Sequence, residues 1–503
     1  MAAIDALGAH RLTAPADRGL LHHLFNGRFP LGVLCALTLT AITLLPLVGG
    51  FGGVLKLGFP LLALLVAGLL YVRDPFGYLN FTWWIWFVTP LVRRLVDHHV
   101  GWTSVSTVML TPYLVSLVAV PGLLRHIGSL ATTHLVALGL TVTGIAYAYV
   151  IGAGTVGSAP ATFALLTWIV PVLFGFALAA NWRQYELWRV ATIASFRLGI
   201  VLTSVYGIVQ FVLLPSWDAY WMQNADMASI GLPVPFAVRV FSTFNAPGVF
   251  AIFVMTGLLL GSCHRSKARD LGVLPIVWLG FLLSQVRSAW LGFGVGLIMM
   301  MVRMPLGRNL KLLAAAVAVV ITTLPLLQID AIERVAVPRI MSLANGQNDH
   351  SLKERMQLYG QFFVVAASNV VGSGIGATNV ATKLSNNGKL NQFGVIDSGV
   401  LEIMYAFGWP GSILYVAGLL LAFLSTLYGF TRTADEFGLA ARSVVVAIFV
   451  QLVFFNVLSG AVGMIFWSFT GMIMAGQRFH KAKEKRAGRL APSPAPLLAS
   501  ARI

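Results

Sequence analysis

Apolar runs long enough to cross a lipid bilayer recur along this chain, and they constrain its fold more than any other feature. One helical crossing needs roughly 20 apolar residues, and about fourteen such runs take up more than half of the chain. Only 10% of the 503 residues are charged, against about 25% in soluble domains. The sequence therefore predicts an all-α polytopic integral membrane protein with about 12–14 transmembrane helices. It excludes a soluble enzyme and a disordered or fibrous chain.

The positions of the apolar runs divide the chain into regions. The predicted spans are residues 30–50, 52–72, 76–92, 104–123, 131–152, 159–181, 191–214, 246–263, 271–286, 288–302, 312–328, 409–430, 443–459 and 462–477. The predicted regions are a cytoplasmic tail at 1–29, a transmembrane region at 30–328, C-terminal transmembrane helices at 398–477 and a basic cytoplasmic tail at 478–503. Two segments between spans are expected outside the membrane, at 215–245 and 329–397.

The charge distribution predicts the orientation. The net charge is +17, from 34 Lys and Arg against 17 Asp and Glu. Most basic residues fall in loops that lie on one side when the N-terminus is placed inside, as cytoplasmic loops require. Arg93 and Arg94 are the main exception, because they fall beside a short outer connection. If Phe76–Phe87 were re-entrant, the topology after it would invert and the charge bias would be lost. No aromatic and basic module or zinc-finger spacing indicates nucleic acid, so none is expected as a partner.

The two predicted outer segments differ in character. Residues 215–245 are polar and contain Pro, Trp and Tyr, which is typical of a membrane interface. Residues 329–397 form a loop much longer than an ordinary connection, and such loops are usually functional. Within it, Ser351–Ala367 has apolar residues at helical spacing, which predicts an amphipathic helix over the membrane face.

The sequence predicts neither a metal site nor a cofactor. Cys35 and Cys263 both lie in apolar runs and form no disulfide or metal pattern. No HExxH, DxD or Cys/His cluster occurs. Gly372-Ser-Gly-Ile-Gly376 lacks the Lys-Ser/Thr of a nucleotide loop. We expect it to be a tight turn in which the backbone lies close to a ligand or a span.

Arginines near the predicted outer membrane face are candidate anion-binding residues. Arg287 stands between two apolar runs, and Arg239 precedes a span with Asn245 and Pro247-Gly248 near its start. Arg355 lies on the predicted loop helix. Guanidinium groups bind phosphate oxygens bidentately, and a helix N-terminus favours anions. The alternatives are an interfacial arginine that reaches lipid head groups for Arg287 and a solvated helix face for Arg355.

Two carboxylates follow the long loop. Asp397 stands where the chain re-enters the membrane, and Glu402 lies inside the apolar run that follows. A half-buried carboxylate can act as a general base towards a sugar hydroxyl. An ion pair with an arginine of a neighbouring span is the alternative for Glu402.

These residues, in this order, resemble the O-antigen ligase/polymerase superfamily of membrane glycosyltransferases. The resemblance covers roughly residues 190–430 and rests on the motifs Arg239 with Asn245-Ala-Pro-Gly248, Arg287-Ser-Ala-Trp, Ser351…Arg355, Gly372-Ser-Gly-Ile-Gly376, Asp397…Glu402 and Gly408-Trp-Pro-Gly411. The stretch from Arg73 to Asp97 is similar to family members encoded at exopolysaccharide loci. Many family ligases have a His-Asn pair where this chain has Asp397-Ser398, so a polymerase-like member is favoured.

The resemblance implies a metal-independent transfer between lipid-linked glycans that inverts the anomeric configuration, with no cofactor. Its donor is an undecaprenyl-pyrophosphate-linked oligosaccharide, and its acceptor is a second glycan. Arg239, Arg287, Arg355 and Asn245 bind the pyrophosphate, while Asp397 or Glu402 serves as base, unless His350 reaches in or no strong base is needed. The implied location is the bacterial inner membrane, with a periplasmic active site. Membrane lipid is an expected partner, together with a chain-length regulator or other polysaccharide assembly proteins.

A lipid-linked glycan flippase or polysaccharide exporter is the alternative function. Such a protein would also be polytopic with buried arginines, but its charges should line a path through the membrane midplane. The candidate residues here cluster at one predicted face. The sequence therefore favours the glycosyltransferase.

Overall fold

A computed structural model defines the fold. It describes residues 52–225, 227–263, 268–310, 363–390, 398–428 and 435–490, together with 32–33, 35–36, 38–40, 312–314, 317, 360 and 396. Within these residues the regular secondary structure is helical and there is no strand, although Gly231 and Val238 form one isolated bridge. The predicted all-α class is confirmed.

The helices follow one another with short connections. In the first half they are α1 (Gly52–Arg73), α2 (Pro75–Val100), α3 (Thr111–Leu117), α4 (Val120–His126), α5 (Thr132–Thr155), α6 (Ser158–Ala180), α7 (Tyr185–Leu213) and α8 (Ser216–Asn224). In the second half they are α9 (Pro247–Cys263), α10 (Ala268–Leu283), α11 (Arg287–Met301), α12 (Gly399–Leu427), α13 (Glu436–Phe449) and α14 (Gly460–Leu490). Short 3₁₀ turns lie at Thr107–Leu110, Ile127–Ser129, Trp182–Gln184, Ala228–Ile230, Asn379–Leu384 and Val450–Val453.

Among the residues that the structure describes, seven helical segments are long and apolar enough to cross a membrane. They are Gly53–Arg73, Thr107–Ser129, Thr132–Thr155, Ser158–Ala180, Trp182–Leu213, Gly399–Leu427 and Glu436–Val453. Three shorter apolar helices accompany them, at Pro247–Ser262, Gly272–Leu283 and Arg287–Met301. The chain is a polytopic membrane protein of helices. The predicted spans at 30–50 and 312–328 lie largely outside the described residues.

The distribution of side chains is the one expected of helices in lipid. Leu57, Leu65 and Val72 are exposed on the outer face of α1, where an apolar solvent accepts them. Polar side chains are buried between helices instead. The Ser195 hydroxyl donates to Asn80 Oδ1 at 2.7 Å and joins α7 to α2. Because such groups find no water in lipid, pairing them inside the bundle stabilises the packing.

Small residues bring the helices of the core close together. A Cβ added at Gly144 of α5 would lie 2.8 Å from the Tyr415 nitrogen of α12. One added at Gly418 of α12 would lie 2.7 Å from the Ala137 carbonyl oxygen. These contacts place the α5 and α12 backbones directly against each other, as small residues allow in membrane bundles. Close packing against α5 therefore holds the part of α12 around Tyr415 and Gly418.

Helix α2 is longer than the sequence predicts. The predicted span ends at residue 92, whereas α2 continues to Val100 and includes Arg93 and Arg94. Both arginines are buried and have carboxylate partners inside the protein, so the helix need not end at a lipid boundary. Residues 75–100 form one continuous helix.

The glycine turn packs against a kink in α12. Gly408 has a φ of 59° and interrupts the helix just before Pro410. The Gly374 nitrogen donates to the Ala406 carbonyl at 2.9 Å, and a Cβ on Gly372 would overlap the Gly408 nitrogen. Since Gly372, Gly374 and Gly376 all have positive φ, side chains are excluded here by both conformation and space. The turn at residues 372–376 therefore packs this part of the long loop against α12.

Several predicted features fall where the chain is not described. Arg355, His350 and Asp397 lie outside the described residues, as does most of the predicted helix over Ser351–Ala367. Residues 363–368 at its end are helical.

Candidate functional site

A cavity of about 340 Å³ lies at one end of the bundle, which we call the cavity end. Its walls come from the end of α2, the α2–α3 connection, α3, α6, α8 and the residues after it, the segment before α9, the 376–390 part of the loop and the first turns of α12 and α14. The polar and charged residues of the wall include Arg93, Asn245, Lys383 and Glu402. Aromatic side chains contribute much of the rest: Trp102, Tyr113, Phe163, Trp168 and Trp221.

Glu402 is the buried acid of this cavity. It lies in the first turn of α12 and is 2% exposed. Its Oε1 accepts hydrogen bonds from Asn379 Nδ2 at 2.8 Å and from the Thr378 hydroxyl at 3.2 Å. Its Oε2 accepts one from Asn456 Nδ2 at 2.9 Å. Among the residues that the structure describes, these partners are neutral, so the predicted ion pair with an arginine is not seen there.

The loop and α12 are joined through this acid. Asn379 has a φ of 57°, a conformation that Asn adopts more readily than most residues. Its Nδ2 donates to Glu402, and its Oδ1 accepts from the Ile396 nitrogen at 3.2 Å. The carboxylate is thereby positioned by two separate parts of the loop and by the Asn456 side chain.

Asn245 contributes an unused acceptor to the same cavity. It precedes α9, which begins at Pro247 as the sequence predicts. Its Nδ2 lies 3.8 Å from the Met109 sulfur. Its Oδ1 is buried and has no hydrogen-bond partner among the described residues. A buried carbonyl oxygen without a donor is costly, and a hydroxyl group bound in the cavity would satisfy it.

A buried ion pair holds the segment that carries Asn245. Arg94 Nη1 lies 2.6 Å from Asp218 Oδ1, and its Nη2 donates to the Ser242 carbonyl at 2.5 Å. Asp218 Oδ2 also accepts from Tyr206 at 2.9 Å and Gln210 at 2.7 Å. Sequence reasoning missed this network, since the two charged residues are 124 positions apart. The signal available was the pair Arg93 and Arg94 directly after the predicted span 76–92.

Arg93 was also missed as a site residue. Its Nε contacts Asp97 Oδ2 at 3.1 Å, and its Nη2 donates to the Thr103 carbonyl at 2.8 Å. Its guanidinium carbon lies 5.3 Å from the centre of the Trp102 ring. Nη1 has no hydrogen-bond partner among the described residues. Arg93 is therefore fixed on one side and faces the cavity on the other.

Arg239 and Arg287 are on neighbouring segments of the chain, and neither lines the cavity. Arg239 donates to the Ser229 carbonyl at 2.8 Å and to the Gln285 carbonyl at 3.2 Å. Arg287 begins α11, two residues after Gln285. The structure thus brings these two predicted residues to the same end of the bundle. It brings Asn245 and Glu402 together in the cavity, whereas neither arginine is part of its lining.

Comparison with known proteins identifies part of the chain. Residues 272–416 match the family model of O-antigen ligase. The matched region includes Arg287, Arg355, Asp397 and Glu402, whereas Arg239 and Asn245 precede it. No curated protein matches the chain. At a coarse level the family match supports a membrane protein that ligates or polymerises glycans. The match supports membership of the chain in the O-antigen ligase superfamily.

Proposed function

We propose that the protein is a membrane glycosyltransferase that joins undecaprenyl-pyrophosphate-linked oligosaccharide units at the periplasmic face. The family match within residues 272–416 supports a glycan-transferring enzyme with a lipid-linked substrate. The observation that carries the proposal further is Glu402, a buried carboxylate with neutral partners that lines the cavity.

The reaction is a displacement at the anomeric carbon of the donor sugar. A hydroxyl oxygen of the acceptor forms the new bond to this carbon. The bond from the carbon to the pyrophosphate oxygen breaks, and the lipid pyrophosphate leaves with the electron pair. The hydroxyl proton passes to a carboxylate. Direct displacement inverts the anomeric configuration, and since the donor already carries the driving force, the step needs neither nucleotide nor metal.

Glu402 is the described residue best suited to receive the proton. Its carboxylate lies in the cavity wall, and one oxygen accepts a single hydrogen bond. A positioned base of this kind contributes about 10²–10⁴-fold to the rate. Asp397 is the second candidate, five residues earlier in the chain. We propose that the acceptor hydroxyl binds beside Glu402.

We assign the leaving pyrophosphate to Arg239 and Arg287, which lie at the cavity end of the bundle. Arg239 donates to the carbonyl of Gln285, which lies two residues before Arg287, so the two arginines are on neighbouring segments. Permanently charged forks stabilise developing negative charge without a metal. Arg355 completes the proposed pyrophosphate set. Asn245, which the resemblance also assigns to the pyrophosphate, lines the cavity, and its unused Oδ1 suits a sugar hydroxyl instead. We further propose a polymerase-type activity, because Asp397-Ser398 stands in place of the ligase His-Asn pair.

Reconstitution tests the proposal. The purified protein in proteoliposomes receives a defined lipid-linked repeat unit and no other protein, and the products are separated on a gel. We expect longer lipid-linked glycans with the natural sequence. We expect at least about a 100-fold loss with Arg287→Ala, since removing one charge-stabilising donor typically costs 10²–10³-fold.

Arg303→Ala is the matched control, because Arg303 follows the opposite end of α11. It should insert normally and retain full product length. Normal polymer from Arg287→Ala, or no product from the natural sequence, would contradict the proposed function. In the second case, movement of the lipid-linked unit between leaflets would identify a flippase.

A further inference from the structure

We propose that the cavity binds the terminal sugar of the acceptor glycan and that Arg93 determines which sugar is accepted. This inference rests on the proposed function. It assigns a substrate group to the cavity and a role to a residue that lies outside the family match at 272–416.

Arg93 has the geometry of a binding residue. It is 7% exposed, and contacts with Asp97, Thr103 and the Trp102 ring hold its guanidinium in one orientation. The remaining nitrogen, Nη1, belongs to a side chain that lines the cavity. Because its neighbours already fix the group, a ligand would gain the hydrogen bond with little loss of side-chain entropy.

The cavity also offers acceptors for hydrogen bonds. Asn245 Oδ1 has no partner among the described residues, and Glu402 Oε2 accepts one bond. A hydroxyl group both donates and accepts. The hydroxyls of a sugar bound in the cavity can therefore satisfy Arg93, Asn245 and Glu402, which a purely apolar ligand cannot do.

The remaining wall suits the faces of a sugar ring. Trp102, Trp168 and Trp221 present large apolar surfaces with one polar edge each. Pockets that combine aromatic walls with a few polar groups are typical of small-molecule sites. The cavity volume of about 340 Å³ lies near the lower limit of such pockets, so it fits one or two sugars and not a complete lipid-linked unit.

The occupant follows from the chemistry at Glu402. A base must touch the hydroxyl that attacks, and that hydroxyl belongs to the acceptor. The donor pyrophosphate is assigned to Arg239 and Arg287, which lie outside the cavity wall. Since Asp97 offsets the charge of Arg93, we expect Arg93 to bind a sugar hydroxyl. A site built to bond one hydroxyl discriminates strongly against a sugar that lacks it.

The test measures binding and turnover separately. The probe is the repeat-unit oligosaccharide released from its lipid by mild acid, so that no donor chemistry is possible. Equilibrium dialysis with the detergent-solubilised protein gives its Kd. In proteoliposomes, the lipid-linked repeat unit supplies the donor and the released oligosaccharide is the added acceptor, and the KM of each is measured with the other saturating.

Arg93→Gln should raise the Kd and the acceptor KM by about tenfold or more, as loss of a hydrogen bond to a charged group predicts. The donor KM should stay within about twofold, since no donor contact is lost. Arg93→Lys keeps the charge without the planar fork and should show an intermediate effect. Trp102→Phe supplies a second variant if Arg93→Gln does not fold, and Arg303→Ala is the control.

The outcomes separate the two proposals. Transfer by the natural sequence with unchanged acceptor constants in the Arg93 and Trp102 variants would overturn this inference and leave the proposed function standing. Binding of the oligosaccharide that depends on Arg93, without any transfer, would overturn the proposed function and support the sugar pocket. A rise in donor KM equal to that of the acceptor would also overturn the assignment to the acceptor.

Discussion

Two buried carboxylates at the cavity end have opposite surroundings. Asp218 is paired with Arg94 at 2.6 Å and also accepts from Tyr206 and Gln210. Glu402 accepts three hydrogen bonds from neutral groups and lines an open cavity. Both are 2% exposed or less, so burial alone does not distinguish them. The identity of the partners does.

The difference separates a structural role from a chemical one. A buried acid with a cation and two further donors has little capacity left for a ligand, and its loss would leave a buried charge unpaired. A buried acid with neutral partners beside a cavity keeps an oxygen available for an incoming donor. We therefore expect mutations at Asp218 to change stability and mutations at Glu402 to change turnover.

The largest effect on turnover is expected from Glu402→Gln. The amide has almost the same shape but cannot accept the hydroxyl proton, so turnover should fall by about 10²–10⁴-fold. The thermal midpoint in detergent should change much less than in Asp218 variants. Product formation is followed in proteoliposomes with the amount of folded protein determined by gel filtration. If Glu402→Gln kept its turnover, Glu402 would not be the base. Asp397 would then be the base, or the reaction would need none.

The largest effect on stability is expected from Asp218→Asn or Arg94→Gln. Removing one member of a buried pair typically costs about 3–5 kcal/mol, because the other charge stays in the protein interior. Tyr206→Phe is the matched control, since it removes one neutral donor from Asp218 and should cost only about 0.5–1.5 kcal/mol. Thermal unfolding in one detergent compares the three variants. Equal midpoints for Asp218→Asn and Tyr206→Phe would argue against a structural ion pair.

A smaller effect is expected from Asn245→Ala. Loss of one neutral hydrogen bond to the acceptor sugar corresponds to about 0.5–1.5 kcal/mol, or roughly a two- to tenfold rise in the KM for the acceptor. Stability should stay the same or increase, because the buried Oδ1 without a partner is removed. Steady-state kinetics and thermal unfolding of this variant give both quantities. A large loss of stability would show that the Asn245 side chain acts as a structural link.

The smallest effect is expected at the opposite end of the bundle. There Asp435 accepts a hydrogen bond from the Tyr185 hydroxyl, contacts His480 at 3.2 Å and caps α13 through the Phe437 nitrogen. Asp435→Asn keeps the cap, since Asn is as good a capping residue as Asp. Turnover should stay within about twofold, and stability should fall by about 1 kcal/mol. A strong loss of turnover would mean that the two ends are coupled.

Much of the fold could be predicted because each helix carries its own signal. Apolar runs predicted the helices, and Pro247-Gly248 predicted the start of α9. The end of α2 could not be predicted, since its continuation depends on partners for Arg93 and Arg94 that lie elsewhere in the fold. Trp221 was assigned to a membrane interface, yet it is 3% exposed and lines the cavity. Local sequence could not distinguish these two environments.

The candidate site could be predicted only in part, for the same reason. Glu402 and Asn245 stood out because a carboxylate and an amide near spans are unusual, and both line the cavity. Arg93 stood out only as an exception to the charge distribution, and Lys383 gave no signal. Their place in the cavity wall depends on how the end of α2 and the 376–390 part of the loop pack together, and no short motif encodes a contact between segments so far apart.

Substrate protection of an introduced cysteine tests the central claim most directly. Ser104→Cys lines the cavity and Ser385→Cys is exposed outside its lining, and both are placed in a protein with Cys35→Ser and Cys263→Ala. A membrane-impermeant thiol reagent is applied to the periplasmic side with and without the lipid-linked repeat unit. We predict that the substrate slows labelling at position 104 and leaves labelling at position 385 unchanged. Equal labelling at position 104 with and without substrate would contradict the assignment of this cavity as the site of glycan transfer.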